Sequence, residues 1–152
     1  MECKFEENLR DDLGKFIFLS MNLRRIKLNE IGLYPGQPII LKLIECNPGL
    51  SQKELAEVAQ ISRPTLNVML GRFQKNGLVD IKYDKNNSKI SKVYLTEKGK
   101  DKSKKANEVI RNFNNIQFSN FTLEEKEEFI KLIKRMSDNL EKEIKEAEYE
   151  NN

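Results

Sequence analysis

Between Ser62 and Asn76 the chain carries two sets of side chains that a helical period separates cleanly. Leu66, Met69, Leu70 and Phe73 follow i, i+3, i+4, i+7 and form an inner stripe. Arg63, Pro64, Asn67, Val68, Gly71, Arg72 and Lys75 are left on the outer face, and none of them is a carboxylate. A guanidinium can take the O6 and N7 of guanine together, an amide suits adenine, and an apolar tip suits a thymine methyl. An acid on that face would repel phosphate. An ordinary amphipathic helix can show the same stripes, so the helix alone does not decide the matter.

Other chemistries lack their parts. The chain of 152 residues has no histidine, which removes Ser-His and Cys-His nucleophile pairs and most zinc sites. Cys3 and Cys46 are far apart and form no CxxC spacing. The seven glycines are scattered, without a phosphate-binding loop. The expectation is a protein that is not an enzyme and needs neither cofactor nor metal. No apolar run is long enough to span a bilayer, and the polar start Met1-Glu2-Cys3-Lys4-Phe5 is unlike a secretory signal, which points to the cytoplasm. The net charge of +3 hides an asymmetry. From Gln60 to Lys105 there are twelve Lys and Arg against four Asp and Glu, so the remainder is acidic. A basic middle between acidic ends is the footprint of a nucleic-acid contact surface.

The elements that must position the outer face come in a clear order. Helical spacing from Phe5 to Leu28 includes a stretch, Phe16 to Met21, that is apolar on nearly every side and so must pack on more than one. Gly32-Leu33-Tyr34-Pro35-Gly36 is a turn, and Gln37-Pro38 opens a short helix to about Cys46, where Asn47-Pro48-Gly49 ends it. Ser51-Gln52-Lys53-Glu54 has the S-x-x-E form of a capping box and starts a helix to about Ala59. Gln60-Ile61 is a tight link, Ser62 caps the next helix with Pro64 in its first turn, and Gly77 sits where a C-terminal cap belongs. Residues 78–83 and 91–95 read as two strands around a polar turn. Thr96 caps a long helix, Thr122 and Glu125 form a second capping box, and Phe129, Ile133, Met136, Leu140 and Ile144 stripe the last helix. Residues 146–152 read as a frayed tail.

Two helices joined by a very short turn suggest a helix-turn-helix. The basic hairpin behind it makes a wing, with Lys85, Lys89 and Lys92 placed to lie along the minor groove. The fold class expected is therefore mainly α with a small β-hairpin: a winged helix-turn-helix lobe flanked by long dimerisation helices. One domain over residues 5–145 accommodates this, with dimerisation helices at 5–31 and 96–145. The DNA-binding lobe spans 37–95, its helix-turn-helix about 51–76 and its wing about 79–95.

Several runs together resemble the MarR family of bacterial transcription regulators. Leu33 to Leu41 has an L-x-x-x-Q-x-x-x-L form, and Ser51 to Ala56, Ile61 to Thr65 and Leu70 to Val79 match the family core. Val93-Tyr94-Leu95-Thr96-Glu97-Lys98-Gly99 is similar to the post-wing signature of that family. The resemblance implies a homodimer on a pseudo-palindromic operator, acting as a repressor relieved by a small anionic or phenolic effector near the junction of dimer and DNA lobe. Family wings carry Asp-x-Arg near the tip, whereas this chain has Asn87-Ser88-Lys89. Lysine is a point charge and suits a narrow groove less well than arginine, so the wing contact should be weaker and less sequence-dependent.

The residues expected to meet DNA are Ser51, Gln52, Ser62, Arg63, Pro64, Thr65, Asn67, Val68, Arg72, Lys75, Lys85, Lys89 and Lys92. Ser51, Gln52, Ser62 and Thr65 stand at helix starts, where backbone N–H groups and short hydroxyls can hold phosphate. A candidate effector set is Phe16, Ser20, Met21, Arg24, Met69 and Phe73, although Met and Phe at helical spacing are core residues first. Cys46 reads as a small core residue. Cys3 lacks a neighbouring cysteine and stands beside Glu2, which argues against a redox sensor. The competing reading is a winged helix used for protein contacts without specific DNA reading, for which binding would be insensitive to salt.

Overall fold

The computed structural model describes residues 2–83 and 91–150. Six helices and a hairpin are arranged in the order α1 (Glu2–Glu30), α2 (Gln37–Cys46), α3 (Gln52–Val58), α4 (Arg63–Lys75), β1 (Val79–Tyr83), β2 (Ser91–Leu95), α5 (Glu97–Gln117) and α6 (Leu123–Glu150). The chain divides into two compact units, residues 1–113 and 114–152.

The first unit holds the core. Leu28 and Leu33 bracket the end of α1, Ile40, Leu41 and Ile44 come from α2, and Leu55 from α3. Leu66, Leu70 and Phe73 of α4 meet them, with Leu78, Val79 and Val93 from the hairpin. Each of these is 3 % exposed or less, which on transfer scales is worth about 1.5–3 kcal/mol for each large side chain.

Local chemistry ends the helices where the sequence indicates. At the end of α4, Leu78 N–H donates to Phe73 O (2.8 Å) and Gly77 N–H to Gln74 O (2.9 Å), with Gly77 at φ +69°. That is the Schellman arrangement, which needs a left-handed residue and so favours glycine. The same pair of bonds closes α1, from Leu33 N–H to Leu28 O and Gly32 N–H to Asn29 O, both 2.9 Å. The Lys102 ammonium of α5 adds a 2.7 Å hydrogen bond to Ile31 O there. Glu45 of α2 pairs with Lys42 at 3.2 Å and accepts from the buried Ser103 Oγ of α5 at 3.0 Å. The Lys42 ammonium first, and the Ser103 hydroxyl less, hold the Glu45 carboxyl below its ordinary range against the opposing effect of burial.

In the second unit, Phe118 lies edge-on to Phe121 and Phe129, with ring centroids 5.4 and 5.3 Å apart. Thr122 and Glu125 exchange both bonds of the capping box at 2.8 and 3.2 Å, so the start of α6 is pinned twice.

Three expectations need correction. First, α1 begins at Glu2 rather than near Phe5, and α6 runs on to Glu150 rather than fraying from 146. Neither extension contains a helix breaker, and Lys142 pairs with Glu146 one turn on. Second, Cys46 is exposed and not a core residue. On α2 the inner stripe is Gln37, Ile40, Leu41 and Ile44, and at 3.6 residues per turn Cys46 falls on the opposite side. Third, Met69 is only half-buried, because it closes the edge of the inner stripe of α4. The expected hairpin is present, and β2 has a partner on each side. It pairs antiparallel with β1 from Val79↔Leu95 to Tyr83↔Ser91. On its other edge Gly49 N–H donates to Val93 O and Val93 N–H to Leu50 O, both at 3.0 Å, with a bridge between Ser51 and Lys92.

Candidate nucleic-acid interface

The helix pair at the centre of the site is joined by a turn that folds back on itself. Gln60 N–H donates to Glu57 O and Ile61 N–H to Ala56 O, each at 3.1 Å. Gln60 takes φ +52°, the only non-glycine there in the left-handed region among the described residues. Ser62 then caps α4: its Oγ accepts from Thr65 N–H at 3.3 Å and shares a 2.8 Å hydrogen bond with Thr65 Oγ1. No acid stands in the first turn of α4, and Arg72 and Lys75 occupy the last one, so both ends of this helix are free of negative side chains.

The two faces separate as periodicity demands. Leu66, Leu70 and Phe73 are buried, while Arg63, Pro64, Thr65, Asn67, Val68, Gly71, Arg72 and Lys75 are all exposed. Val68 is a large apolar side chain left 59 % exposed at the middle of this polar face. Arg72 is not simply solvated. Its guanidinium lies over the ring of Tyr34, 5.2 Å from the centroid, and a cleft of about 330 Å³ beside them is lined by Tyr34, Pro35, Gln37, Thr65, Val68, Met69 and Arg72. Tyr34, legible in the sequence only as part of a turn, thus belongs to the site. The signal available was an aromatic residue in a turn directly before the buried Gln37.

At the start of α3, Ser51 Oγ accepts from Glu54 N–H at 3.2 Å and Ser51 N–H donates to Glu54 Oε2 at 2.8 Å. The Ser51 N–H, then the Ser51 side chain, hold the Glu54 carboxyl below its usual range, with Lys92 and Lys53 adding to it. Ser51 is therefore a cap with a carboxylate beside it, and Lys92 supplies the compensating charge. Gln52 next to it is half-buried.

The wing stands on these residues. Lys82 and Lys92 face each other across the hairpin, and Lys82 lies over the ring of Tyr94 at 5.4 Å. Like charges directly opposite are unfavourable in isolation, and the Glu54 carboxylate acts on Lys92 from the start of α3. Lys82 was not among the residues singled out from the sequence. Its place opposite Lys92 depends on the strand register. Tyr94 packs close over Gly49, where a Cβ would stand 2.9 Å from the tyrosine oxygen. Lys85 and Lys89, with Asn87 and Ser88, lie outside the described residues.

The candidate effector set is not gathered into one place. Phe73 is 1 % exposed within the core and Met69 lines the cleft by Tyr34. Phe16 and Met21 are exposed on α1, Ser20 is half-buried, and Arg24 lies 5.0 Å over the Phe113 ring. The side chain of Cys3 is outside the described residues. Among those residues no group of His, Cys, Asp and Glu could hold a metal ion, and no helix is long and apolar enough to cross a membrane.

A short helix pair, a second helix with an acid-free outer face and a basic hairpin behind it define a winged helix-turn-helix DNA-binding protein. Comparison with known proteins agrees. A family profile described as winged helix-turn-helix DNA-binding matches residues 39–80. The chain is 31% identical over 121 residues to YybA, an HTH-type transcriptional regulator of Bacillus subtilis (strain 168), covering 80% of this chain and 81% of that one. A MarR protein from Peptoclostridium difficile DA00132 superimposes with a TM-score of 0.74 at 30% identity, over 90% of this chain and 89% of the other. The repressor CouR, bound to a 23-mer DNA duplex, shares the fold with a TM-score of 0.76 at 19% identity, over 88% and 95% of the two chains. The chain belongs to the MarR family of winged helix-turn-helix transcriptional regulators.

Proposed function

We propose that this regulator is a homodimeric repressor that reads a pseudo-palindromic operator and is released by a small anionic or phenolic effector. The observation that carries the DNA reading is the outer face of α4. It exposes Arg63, Asn67, Val68, Arg72 and Lys75 together without a carboxylate, beside a hairpin that sets Lys82 opposite Lys92. Arg63, Asn67, Val68 and Arg72 approach the bases, Lys75, Ser62 and Thr65 hold phosphate, and Lys85, Lys89 and Lys92 lie along the minor groove. Ser51 and Gln52 contribute backbone-positioning contacts at the start of α3. CouR, a relative in fold, is a repressor that binds a duplex.

Dimerisation accounts for apolar surface that neither unit buries. On α1, Phe16, Ile17, Phe18, Leu19 and Met21 are each 42 % exposed or more. On α6, Ile130, Ile133, Met136, Leu140 and Ile144 are 40 % exposed or more. Contiguous apolar surface of that kind marks an interface. A dyad would set two recognition helices about 34–36 Å apart, one helical turn of DNA. An effector anion would meet Arg24 on α1 and act by changing that spacing, since affinity depends on both heads docking at once.

Selection of bound sequences from random duplexes tests the reading. The expected product is two inverted half-sites one helical turn apart, bound with an affinity that falls steeply with salt. A featureless or asymmetric product would falsify the dimeric reader, and salt-insensitive binding would favour a protein-contact role. Lys89→Arg should tighten binding, because a guanidinium suits a narrow minor groove better than an ammonium.

A further inference from the structure

We infer that Tyr34 is a positioning residue for DNA reading: its ring holds the Arg72 guanidinium in one orientation at the edge of the recognition face. This rests on the proposal that the outer face of α4 meets the duplex. Arg72 has no carboxylate partner among the described residues, and its contact is the Tyr34 ring at 5.2 Å. That distance is within the range of a cation–π interaction. The backbone that carries the ring is anchored. Tyr34 N–H donates to Gln37 Oε1 at 2.9 Å, and Gln37 is 4 % exposed, so the turn is tied to a buried amide. Two residues on, Gly36 has φ +88° and brings the backbone so near α4 that a Cβ would touch Met69 Cε at 3.5 Å. The turn is thus tied to α2 through Gln37 and approaches the recognition helix at Met69, with the ring and the guanidinium at its outer edge.

An unheld arginine loses side-chain entropy when it is pinned against a base or phosphate. A stacked one has lost part of it already, and its plane is set before the duplex arrives. Tyr34 is 54 % exposed, so the ring serves Arg72 from the surface and is not a core residue.

The test uses the full chain, a duplex recovered by selection and an unrelated duplex of equal length. Tyr34→Phe keeps the ring and should bind the selected duplex within about twofold of the parent. Tyr34→Leu should lose about two- to fivefold per recognition head on the selected duplex, the worth of an exposed cation–π contact. It should lose little on the unrelated duplex and leave the salt slope unchanged. Arg72→Lys, which keeps charge without the plane, should resemble it. In an Arg72→Ala background Tyr34→Leu should cost nothing further. Thermal unfolding confirms that each variant is folded, and Tyr34→Met serves in place of Tyr34→Leu if that one is not. An equal loss in the Arg72→Ala background, or no loss from Tyr34→Leu where Arg72→Ala does weaken binding, overturns the inference alone. If Arg72→Ala leaves the selected duplex bound as before, the role of Arg72 in reading falls and the inference with it.

Discussion

Gly99 is the position where the fold of the DNA-binding lobe is most exposed to a single methyl group. It lies in the first turn of α5, and its N–H donates to Thr96 Oγ1 at 3.0 Å. Thr96 in turn donates from Oγ1 to Gly77 O at 2.7 Å and from its N–H to Leu78 O at 3.0 Å. The end of the recognition helix, the base of the wing and the start of α5 therefore meet at one junction. A Cβ on Gly99 would drive into the Leu78 carbonyl oxygen and come within 3.0 Å of its carbon and 3.2 Å of Leu95 Cδ2. Backbone cannot swing aside as a side-chain tip can. Overpacking of this kind costs about 1–3 kcal/mol. Retreat of the Leu78 carbonyl also weakens its bond from Thr96, at about 1 kcal/mol, while alanine in a helix returns about 1 kcal/mol. The net for Gly99→Ala is roughly 2 kcal/mol of lost stability, or about 4–8 °C in Tm for a chain of this size. Gly71→Ala is the control, because a Cβ there meets nothing within 4 Å on the exposed face of α4. It should raise Tm by about 2–4 °C and place a methyl on the reading face. The assay is thermal unfolding at one fixed protein concentration, since any self-association would make Tm concentration-dependent. If both alanines raise Tm alike, the junction is not packed as described and the reasoning fails.

Substitutions at three further positions test the local chemistry. Ser62→Ala removes the acceptor for Thr65 N–H, and should cost about 1 kcal/mol, seen as a lower denaturant midpoint at unchanged slope. Gln60 holds φ +52° in the helix-turn-helix bend. Gln60→Gly should therefore be neutral or slightly stabilising, whereas Gln60→Val should lower Tm, because a β-branched residue resists the left-handed region. Equal Tm values for the two variants would contradict the strained turn. The Glu54 carboxyl is held below its usual range in the folded chain, chiefly by the Ser51 N–H. Its ionised form thus favours folding at pH values above the unfolded pKa of about 4.3, and that contribution is lost as pH falls through the lower folded value. Glu54→Gln should be less stable than the parent at pH 7, and the gap should close in acid. A gap that is the same at pH 7 and pH 3, read by thermal unfolding, would point to a role for Glu54 other than its charge.

What could be read from residue order was what short-range chemistry decides. The Ser51-x-x-Glu54 and Thr122-x-x-Glu125 boxes are complete within four residues, and both are formed. Gly77 closes α4 because only the backbone of the next residues is involved. The inner and outer faces of α4 are set by one period, and they separate as expected except at half-buried Met69. The second edge of β2 was not legible. Gly49 to Ser51 is too short for strand alternation to register, and its bonds go to a strand some forty residues later. Cys46 was misplaced because one apolar residue at a helix end carries no phase until the rest of the stripe is known.

The same division separates the residues proposed to read DNA from the one proposed to aim Arg72. Arg63, Asn67, Val68 and Arg72 all fall outside the buried stripe because of their spacing, a property of α4 alone. Tyr34, Gly36 and Gln37 belong to another element, and nothing in their spacing to Arg72 ties them to it. Any effect they have on the site must come through the α1–α2 turn beside α4: a ring over a guanidinium, a glycine near Met69 and an amide holding the turn. Duplex affinity should therefore respond to substitutions at residues that need not touch DNA. By the same logic, two members of this family with identical recognition helices need not read the same operator with the same strength. Grafting Arg63 to Lys75 onto a relative whose turn lacks the Tyr34 ring puts this directly. The graft should transfer the preferred half-site while losing the share of affinity that depends on a held Arg72, and restoring the tyrosine should recover it.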